Sequence, residues 1–257
     1  MASITPAAKV LIFLKRLNVN GFYRKIENVL PPRMRSSIRG MINKQLFAPN
    51  VNEMELRPAY TNALKVLSDK TGPENLGDYL EFGVSHGTSL ATMHGVLKKM
   101  GLDKVRIFGF DSFEGMPAGS ADEEGSVWFQ GEFRSTIDET TQFLELSGVD
   151  MKRTFLIKGW FNETCTPALV KEHRMQKASV IMIDCDIYSS AKVALDFCRP
   201  LIKGEAVILF DDWMEEDKNI GEYRALNEFL EENPSLTAQQ IGTYLPMGKI
   251  YLVEEVR

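Results

Sequence analysis

The sequence predicts an α/β fold, a doubly wound parallel sheet preceded by a helical N-terminal extension. Three observations lead to this prediction. From residue 54 onward, short apolar runs of strand length alternate with longer amphipathic segments, which is typical of buried parallel strands joined by helices. Glycine or aspartate lies at the end of each of the first five apolar runs. No segment repeats itself along the chain, which argues against a solenoid or a propeller.

The strands are predicted where a short apolar run is bounded by turn residues. These runs cover residues 78–84, 105–110, 154–158, 180–183 and 206–210, and residues 240–244 and 249–253 are predicted as a final antiparallel pair. The helices are predicted where apolar residues recur at helical spacing and a glycine or proline follows. They cover residues 54–70, 89–100, 137–147, 167–173, 191–198 and 221–232. Residues 117–135 are polar and predict a long loop.

The composition places the chain among ordinary globular proteins. Of its 257 residues, 44% are apolar and 25% are charged, which excludes a disordered or collagen-like chain. Three widely spaced cysteines without a C-x-x-C pair favour a reducing compartment. No apolar run approaches the roughly 18 residues that a membrane span needs. We therefore expect a cytoplasmic protein without a transmembrane segment.

The N-terminal region differs sharply in charge from the rest of the chain. Residues 1–48 hold nine basic residues and one acidic residue, a net charge of +8, whereas the remainder carries −13. With a boundary near residues 48–52, the sequence predicts a basic helical extension over residues 1–50 and a main domain over residues 51–257. The extension could pack on the acidic domain or on a second copy, or it could bind an anionic membrane or acidic partner. Nucleic acid is least favoured, because no basic strand carries interleaved aromatic residues.

The loop after the first strand is a candidate ligand site, since ligands of doubly wound sheets bind at the carboxyl ends of the strands. It reads Glu81-x-Gly83-x-x-x-Gly87-x-Ser89. The two glycines allow a tight turn and a close approach of the backbone to a ligand. The loop leads into a helix N-terminus, which favours an anionic group. The same loop could be only a strand-to-helix turn.

Two further strand ends carry candidate binding groups. Asp111 follows the second strand and could accept two hydrogen bonds from a ribose diol, or it could be a helix cap or turn residue. Gly159, Trp160 and Phe161 follow the third strand. The aromatic pair could enclose a flat base, or it could be ordinary packing.

Four carboxylates end the fourth and fifth strands. Asp184 and Asp186 follow one strand, and Asp211 and Asp212 follow the other. Converging carboxylates repel one another unless a cation or a proton lies between them, and oxygen ligands suit Mg²⁺, Mn²⁺ or Ca²⁺. Neighbouring aspartates point in different directions, so we expect that fewer than four are ligands. Alternatively, the four aspartates could be solvated turn residues, with one of them acting as a helix cap.

Together these motifs resemble the class I S-adenosylmethionine-dependent methyltransferases, and more narrowly the macrocin O-methyltransferase (TylF/MycF) family. The resemblance covers roughly residues 54–255 and rests on five motifs in order. They are Glu81-x-Gly83-x-x-x-Gly87, Phe110-Asp111-Ser112-Phe113-Glu114-Gly115-Met116-Pro117, Lys158-Gly159-Trp160-Phe161, Asp184-x-Asp186-x-Tyr188-x-Ser190 and Asp211-Asp212.

The resemblance implies a Rossmann-like seven-stranded sheet of order 3-2-1-4-5-7-6, with strand 7 antiparallel, and S-adenosylmethionine as cofactor. It implies Mg²⁺, or Mn²⁺, held by Asp186, Asp211 and Asp212, and we take Asp186 as the candidate general base. The implied cofactor-binding residues are Glu81, Gly83, Gly87, Ser89, Asp111, Ser112, Gly159, Trp160 and Asp184.

The function that the resemblance implies is metal-dependent O-methylation. The acceptor is expected to be a small molecule, a sugar or polyhydroxylated natural product with a vicinal diol, and no nucleic acid is expected. A homodimer or larger homo-oligomer is expected, with the N-terminal helices as candidate contacts. Two departures bear on the acceptor: Ser85 and His86 replace the Trp-Arg pair of the macrolide enzymes, and residues 1–48 differ in sequence.

Three alternatives stay open at this point. A catechol-type O-methyltransferase would use the same metal arrangement on a different vicinal diol. A nucleotide-dependent oxidoreductase is disfavoured, because the chain lacks a G-x-G-x-x-G motif after the first strand. A non-catalytic cofactor-binding scaffold is disfavoured by the complete set of carboxylates.

Overall fold

The computed structural model describes residues 53–123, 130–213, 219–244 and 247–256. The expected helical extension over residues 1–50 and its boundary with the main domain lie outside these residues. The middle of the expected loop over residues 117–135 lies outside them as well.

Helices and strands alternate along the described chain, as the sequence predicts. The strands are β1 (Asp78–Phe82), β2 (Ile107–Asp111), β3 (Thr154–Lys158), β4 (Ala178–Ile183), β5 (Glu205–Phe210), β6 (Leu236–Tyr244) and β7 (Gly248–Glu255). The helices are α1 (Glu53–Thr71), α2 (Thr88–Lys99), α3 (Ile137–Leu146), α4 (Phe161–Thr164), α5 (Pro167–Glu172), α6 (Tyr188–Cys198) and α7 (Gly221–Glu232).

The seven described strands form one sheet in the order β3-β2-β1-β4-β5-β7-β6. Strands β1 to β5 pair in parallel, and β7 is antiparallel to both β5 and β6. This confirms the order and the strand direction that the resemblance implies. The chain moves outward from β1 to β3 and then returns to the other side of β1 with β4. The switch in strand order therefore lies between β1 and β4, where ligands of doubly wound sheets bind.

Each face of the sheet supports a separate apolar layer. On one face, Tyr60 and Leu64 of α1 and Leu90 of α2 belong to a buried cluster with alternate residues of the strands. On the other face, Phe82 stacks on Phe110 with ring centroids 4.6 Å apart, and Phe197 of α6 packs edge-on against both. Every residue of β1 is buried, as expected for a central strand covered on both sides.

Several element ends differ from the sequence prediction. Strand β1 stops at Phe82, two residues early, because Gly83 turns the chain at a φ of 97°. Strand β6 begins at Leu236, four residues before the predicted start. It lies at the sheet edge, and only its end residues Leu236 and Tyr244 are fully buried, so it lacks the apolar run that identifies a central strand. Within the described residues, no helix combines the length and apolar character that crossing a bilayer demands.

Candidate active site

The glycine loop, residues 83–87, joins β1 to α2 at the switch in strand order. A Cβ atom on Gly83 would lie 1.7 Å from the carbonyl oxygen of Asp184, so only glycine allows this loop to approach the end of β4. Gly87 takes a left-handed conformation at the start of α2, with a φ of 86°. Both glycines of the motif are therefore required by the backbone itself.

Asp111, at the end of β2, fixes the start of the glycine loop. Its Oδ2 accepts hydrogen bonds from the amides of Val84 and Ser85 at 2.9 and 2.8 Å, and its Oδ1 accepts one from Phe113 at 2.6 Å. Burial raises the pKa of the carboxyl, and the three amide donors oppose that rise. Sequence reasoning assigned Asp111 to a ribose diol. In the structure the carboxylate binds the loop, and a ribose contact stays a prediction.

Glu81 fixes the other end of the glycine loop from inside the core. Its side chain has 0% exposure and accepts hydrogen bonds from Ser89 at 2.5 Å and Tyr79 at 2.6 Å. Burial raises its pKa to about 7. The cofactor contact that the resemblance implied for Glu81 stays a prediction, and in the structure this carboxyl has no exposed surface. It holds Ser89, and with it the first turn of α2.

The segment after Asp111 folds back on itself. The Ser112 hydroxyl accepts a hydrogen bond from the amide of Glu114 at 3.1 Å and donates one to the carbonyl of Gly115 at 3.3 Å. Met116 then exchanges backbone hydrogen bonds with residues 131–132. A Cβ on Gly115 would lie 2.3 Å from the carbonyl oxygen of Glu132. Ser112 is thus a turn-forming residue in the structure, and its cofactor contact stays a prediction.

The aromatic pair after β3 is partly buried and packs beside the end of β2. The amide of Gly159 donates to the carbonyl of Asp111 at 2.9 Å, which joins this loop to the end of β2. Phe161 packs edge-on against Phe82 at 5.5 Å between ring centroids. The rings of Trp160 and Phe161 are both partly exposed, and the enclosure of a flat base between them stays a prediction.

Three carboxylates converge at the ends of β4 and β5. Asp184, Asp211 and Asp212 each place one oxygen within 4.8 Å of the others, and all three are partly exposed. We call them the carboxylate cluster. The resemblance had implied Asp186 in place of Asp184. Asp186 takes a φ of 65° and shares a hydrogen bond with the side chain of Asp212.

The carboxylate cluster is electrostatically unfavourable by itself. Burial raises the pKa of all three carboxyls. Neighbouring negative charges raise the pKa of Asp184 and Asp211 further, whereas the hydrogen bond with Asp186 lowers the pKa of Asp212. The pKa of Asp211 lies at about 7. Its Oδ1 is buried and has no hydrogen-bond partner among the described residues. Carboxylates that face one another, with an oxygen left unpartnered, fit a divalent cation.

One buried acidic residue, Glu222 in the first turn of α7, was not predicted from the sequence. Its side chain has 0% exposure, and its Oε2 accepts a hydrogen bond from the amide of Asp212 at 3.1 Å. Its Oε1 lacks a partner within the described part of the chain. A glutamate at a helix start is usually exposed and complements the helix dipole, so no local signal marks this one as buried.

The sequence comparisons identify O-methyltransferases. The model of the family described as macrocin O-methyltransferase (TylF) matches residues 61–241. A demethyldecarbamoylnovobiocin O-methyltransferase of Streptomyces niveus is 24% identical over 198 residues, 71% of each chain. The 8-demethyl-8-(2,3-dimethoxy-alpha-L-rhamnosyl)-tetracenomycin-C 4'-O-methyltransferase of Streptomyces olivaceus is 29% identical over 143 residues, 53% of each chain.

Solved structures share the fold. The O-methyltransferase NovP has a TM-score of 0.60 at 19% identity, covering 77% of this chain and 80% of its own. The calicheamicin methyltransferase CalS11 has a TM-score of 0.59 at 19% identity, with 97% and 93% covered. An O-methyltransferase from Bacillus cereus, solved in complex with SAH, has a TM-score of 0.53 at 17% identity, with 90% and 96% covered. Because the family model matches well over half of the sequence, this chain belongs to the macrocin O-methyltransferase family and is an O-methyltransferase.

Proposed function

We propose that the protein moves a methyl group from S-adenosylmethionine to one hydroxyl of a vicinal diol on a sugar or polyhydroxylated natural product, with the help of a divalent cation. The observation that supports it most is the carboxylate cluster beside the glycine loop. The two features touch, since Gly83 lies directly against the backbone of Asp184. A cofactor on the loop and a cation on the cluster would be close neighbours.

The glycine loop and the loops after β2 and β3 form the proposed cofactor site. Hydrogen bonds join the three loops. The Asp111 carboxylate accepts from the amides of Val84 and Ser85, and the Asp111 carbonyl accepts from the amide of Gly159. Such prior ordering lowers the entropy cost of binding. Partly exposed Trp160 lies at the edge of this site. The Bacillus cereus protein of the same fold was solved with SAH, which agrees with this assignment.

Asp211 and Asp212 are the proposed core of the cation site, and Asp184 is the third ligand that the geometry favours. Mg²⁺ or Mn²⁺ at such a site would lower the pKa of an acceptor hydroxyl. Asp186 is the proposed proton acceptor. Burial and the charge of Asp212 raise the pKa of the Asp186 carboxyl, so it can hold the proton that the hydroxyl loses as the methyl group is transferred.

The proposal of a sugar acceptor is supported by the relatives. The name of the Streptomyces olivaceus enzyme specifies a rhamnosyl group, and a second structure of CalS11, without ligand, is that of a TDP-rhamnose 3'-O-methyltransferase. A vicinal diol presents two oxygens on one side, which suits a cation held by aspartates at one edge of the site. A catechol presents the same pair on an aromatic ring, so the acceptor panel below includes one.

Calorimetry with S-adenosylhomocysteine tests the cofactor assignment first. We expect binding in the micromolar range at one site per chain, and weaker binding for Asp111→Ala. Release of S-adenosylhomocysteine is then measured with glycosylated and catechol acceptors, with Mg²⁺ and with EDTA. Transfer to a sugar diol that EDTA abolishes supports the full proposal. No S-adenosylhomocysteine binding by a folded sample overturns the cofactor assignment, and transfer that is indifferent to EDTA overturns the metal assignment.

A further inference from the structure

A continuous chain of hydroxyl groups runs through the core below the glycine loop. The hydroxyl of Tyr60, on α1, lies 2.8 Å from that of Tyr79, on β1. Tyr79 donates to Oε2 of Glu81 at 2.6 Å, and Ser89 donates to Oε1 of the same carboxyl at 2.5 Å. All four side chains are buried, with at most 2% exposure. We call this set the tyrosine chain.

The protons of the tyrosine chain have one consistent order. A phenol has a single proton to donate. Because the proton of Tyr79 goes to Glu81, the oxygen of Tyr79 must accept from Tyr60. Both phenols therefore point their donors toward the carboxyl, and each polarises the next.

The tyrosine chain matters because, among the residues that the structure describes, the side-chain donors to Glu81 are hydroxyl groups. Its side-chain donors are the hydroxyls of Tyr79 and Ser89, and the carboxyls of Asp111 and Asp211 near it carry charge of the same sign. A buried acceptor that loses its donor retains the full cost of its lost hydration. Without the Tyr79 hydroxyl, Oε2 of Glu81 would be left in the core with no donor.

The glycine loop depends on this carboxyl. Asp111 holds the start of the loop at Val84 and Ser85, and Glu81 holds its end at Ser89. A shift of Glu81 would release the first turn of α2 and loosen the loop between its two anchors. Pre-organisation of such a loop contributes directly to ligand affinity.

We propose that Tyr79 and Tyr60 are positioning residues for the cofactor: they hold Glu81, and through Ser89 they keep the glycine loop in its binding conformation. Neither tyrosine is exposed, so neither touches the ligand. This inference rests on the proposed binding of S-adenosylmethionine to the loop. It also makes cofactor affinity depend on α1, the helix that carries Tyr60.

The test is a double-mutant cycle on S-adenosylhomocysteine affinity, measured by calorimetry on the full chain. We expect Tyr79→Phe to weaken binding about tenfold and Tyr60→Phe about threefold. Because Tyr60 acts through Tyr79, the double variant should bind no more weakly than Tyr79→Phe alone. Amide hydrogen exchange at residues 84–90 should be faster in each variant than in the wild type.

Thr92→Val is the matched control. Thr92 is also buried on α2, and its hydroxyl donates to the carbonyl of Thr88 at 2.8 Å, outside the tyrosine chain. We expect wild-type affinity from it. If Tyr79→Phe lowers the melting temperature and leaves the affinity within twofold of the wild type, the inference is wrong. If Tyr79→Phe fails to fold, an unchanged affinity in Tyr60→Phe overturns it equally. A wild-type protein that does not bind S-adenosylhomocysteine refutes the proposed function instead.

Discussion

The glycine loop and the carboxylate cluster both depend on partly buried aspartates, but the two sites satisfy them in opposite ways. Asp111 accepts three backbone hydrogen bonds. Asp211 faces Asp184 and Asp212, and although its carboxyl shares a hydrogen bond with Tyr244, its Oδ1 has no partner among the described residues. A carboxylate surrounded by amide donors stabilises the fold around it. A carboxylate surrounded by other carboxylates costs folding free energy until a cation or a proton arrives.

The two sites therefore contribute to stability with opposite signs. The hydrogen bonds of the glycine loop are made within the chain and need no ligand. The carboxylate cluster carries charge repulsion that a cation would relieve, and binding sites commonly carry such a cost in stability.

The largest effect is expected where the two sites touch. Gly83→Ala places a Cβ 1.7 Å from the Asp184 carbonyl at a φ of 97°, so we expect a loss of more than about 3 kcal/mol in the free energy of unfolding. Gly101→Ala is the control, with a φ of 70° and open space around the new Cβ, and it should cost about 1 kcal/mol. Urea unfolding measures both, and equal losses would show that the close approach is unimportant.

The same substitution is expected to change the free energy of unfolding in opposite directions at the two sites. Asp111→Asn turns an amide group toward backbone N–H donors and should lower the free energy of unfolding by about 2 kcal/mol. Asp211→Asn removes a charge from the carboxylate cluster and should raise it by about 1 kcal/mol in EDTA at pH 8. Asp211→Asn should also lower Mn²⁺ affinity at least about a hundredfold.

Urea unfolding and Mn²⁺ calorimetry on the two variants provide the measurement. Asp111→Asn should keep the Mn²⁺ affinity of the wild type, since its carboxyl is not part of the cluster. The comparison fails if both variants lose stability in EDTA, or if Asp211→Asn binds Mn²⁺ as tightly as the wild type.

The stability of the metal-free protein should fall as pH rises. The folded pKa of Asp211 is about 7 and its ordinary value is 3.8, so between these values the native state holds a proton that the unfolded state has released. The free energy of unfolding should therefore decrease from about pH 4 to pH 7, by at most about 1.4 kcal/mol per pH unit for this group. Above pH 7 its contribution should be constant.

Urea unfolding in EDTA at pH 5, 6, 7 and 8 measures this slope. Asp211→Asn lacks the group and should show a shallower slope than the wild type. Added Mn²⁺ should stabilise the wild type more at pH 8 than at pH 6, because protons and the cation compete for the same oxygens. Parallel profiles for the two proteins would count against a proton held by Asp211.

The smallest effect is expected at Glu222. Glu222→Gln keeps a carbonyl oxygen that can accept from the amide of Asp212, and it removes the ionisable group. We expect Mn²⁺ affinity to fall about tenfold or less, as for residues that hydrogen-bond to a metal ligand. Glu228→Gln, on the same helix α7, alters a partly buried residue that bonds to Tyr188 and Arg224, and it should leave Mn²⁺ affinity unchanged. Equal affinity for all three proteins would remove Glu222 from the site.

Much of the fold could be predicted from the sequence because strands buried on both faces leave apolar runs that need no context. The positions of β4 and β5 follow this rule closely. The edge strand β6 does not, since only its end residues Leu236 and Tyr244 are fully buried. In the same way, the glycines at 83 and 87 were identifiable because the backbone turns there.

The chain by itself determined which residues meet at the carboxyl edge of the sheet, because the ends of parallel strands with short loops must lie together. Only the tertiary structure decided what each one faces. Asp111 and Glu81 turn inward to hold the loop, Asp184 joins Asp211 and Asp212, and Glu222 enters from α7. Side-chain direction beyond a strand end depends on backbone torsions and on distant donors. Local sequence pattern predicts neither of these, so the partners of these carboxyls can be identified only in the folded structure.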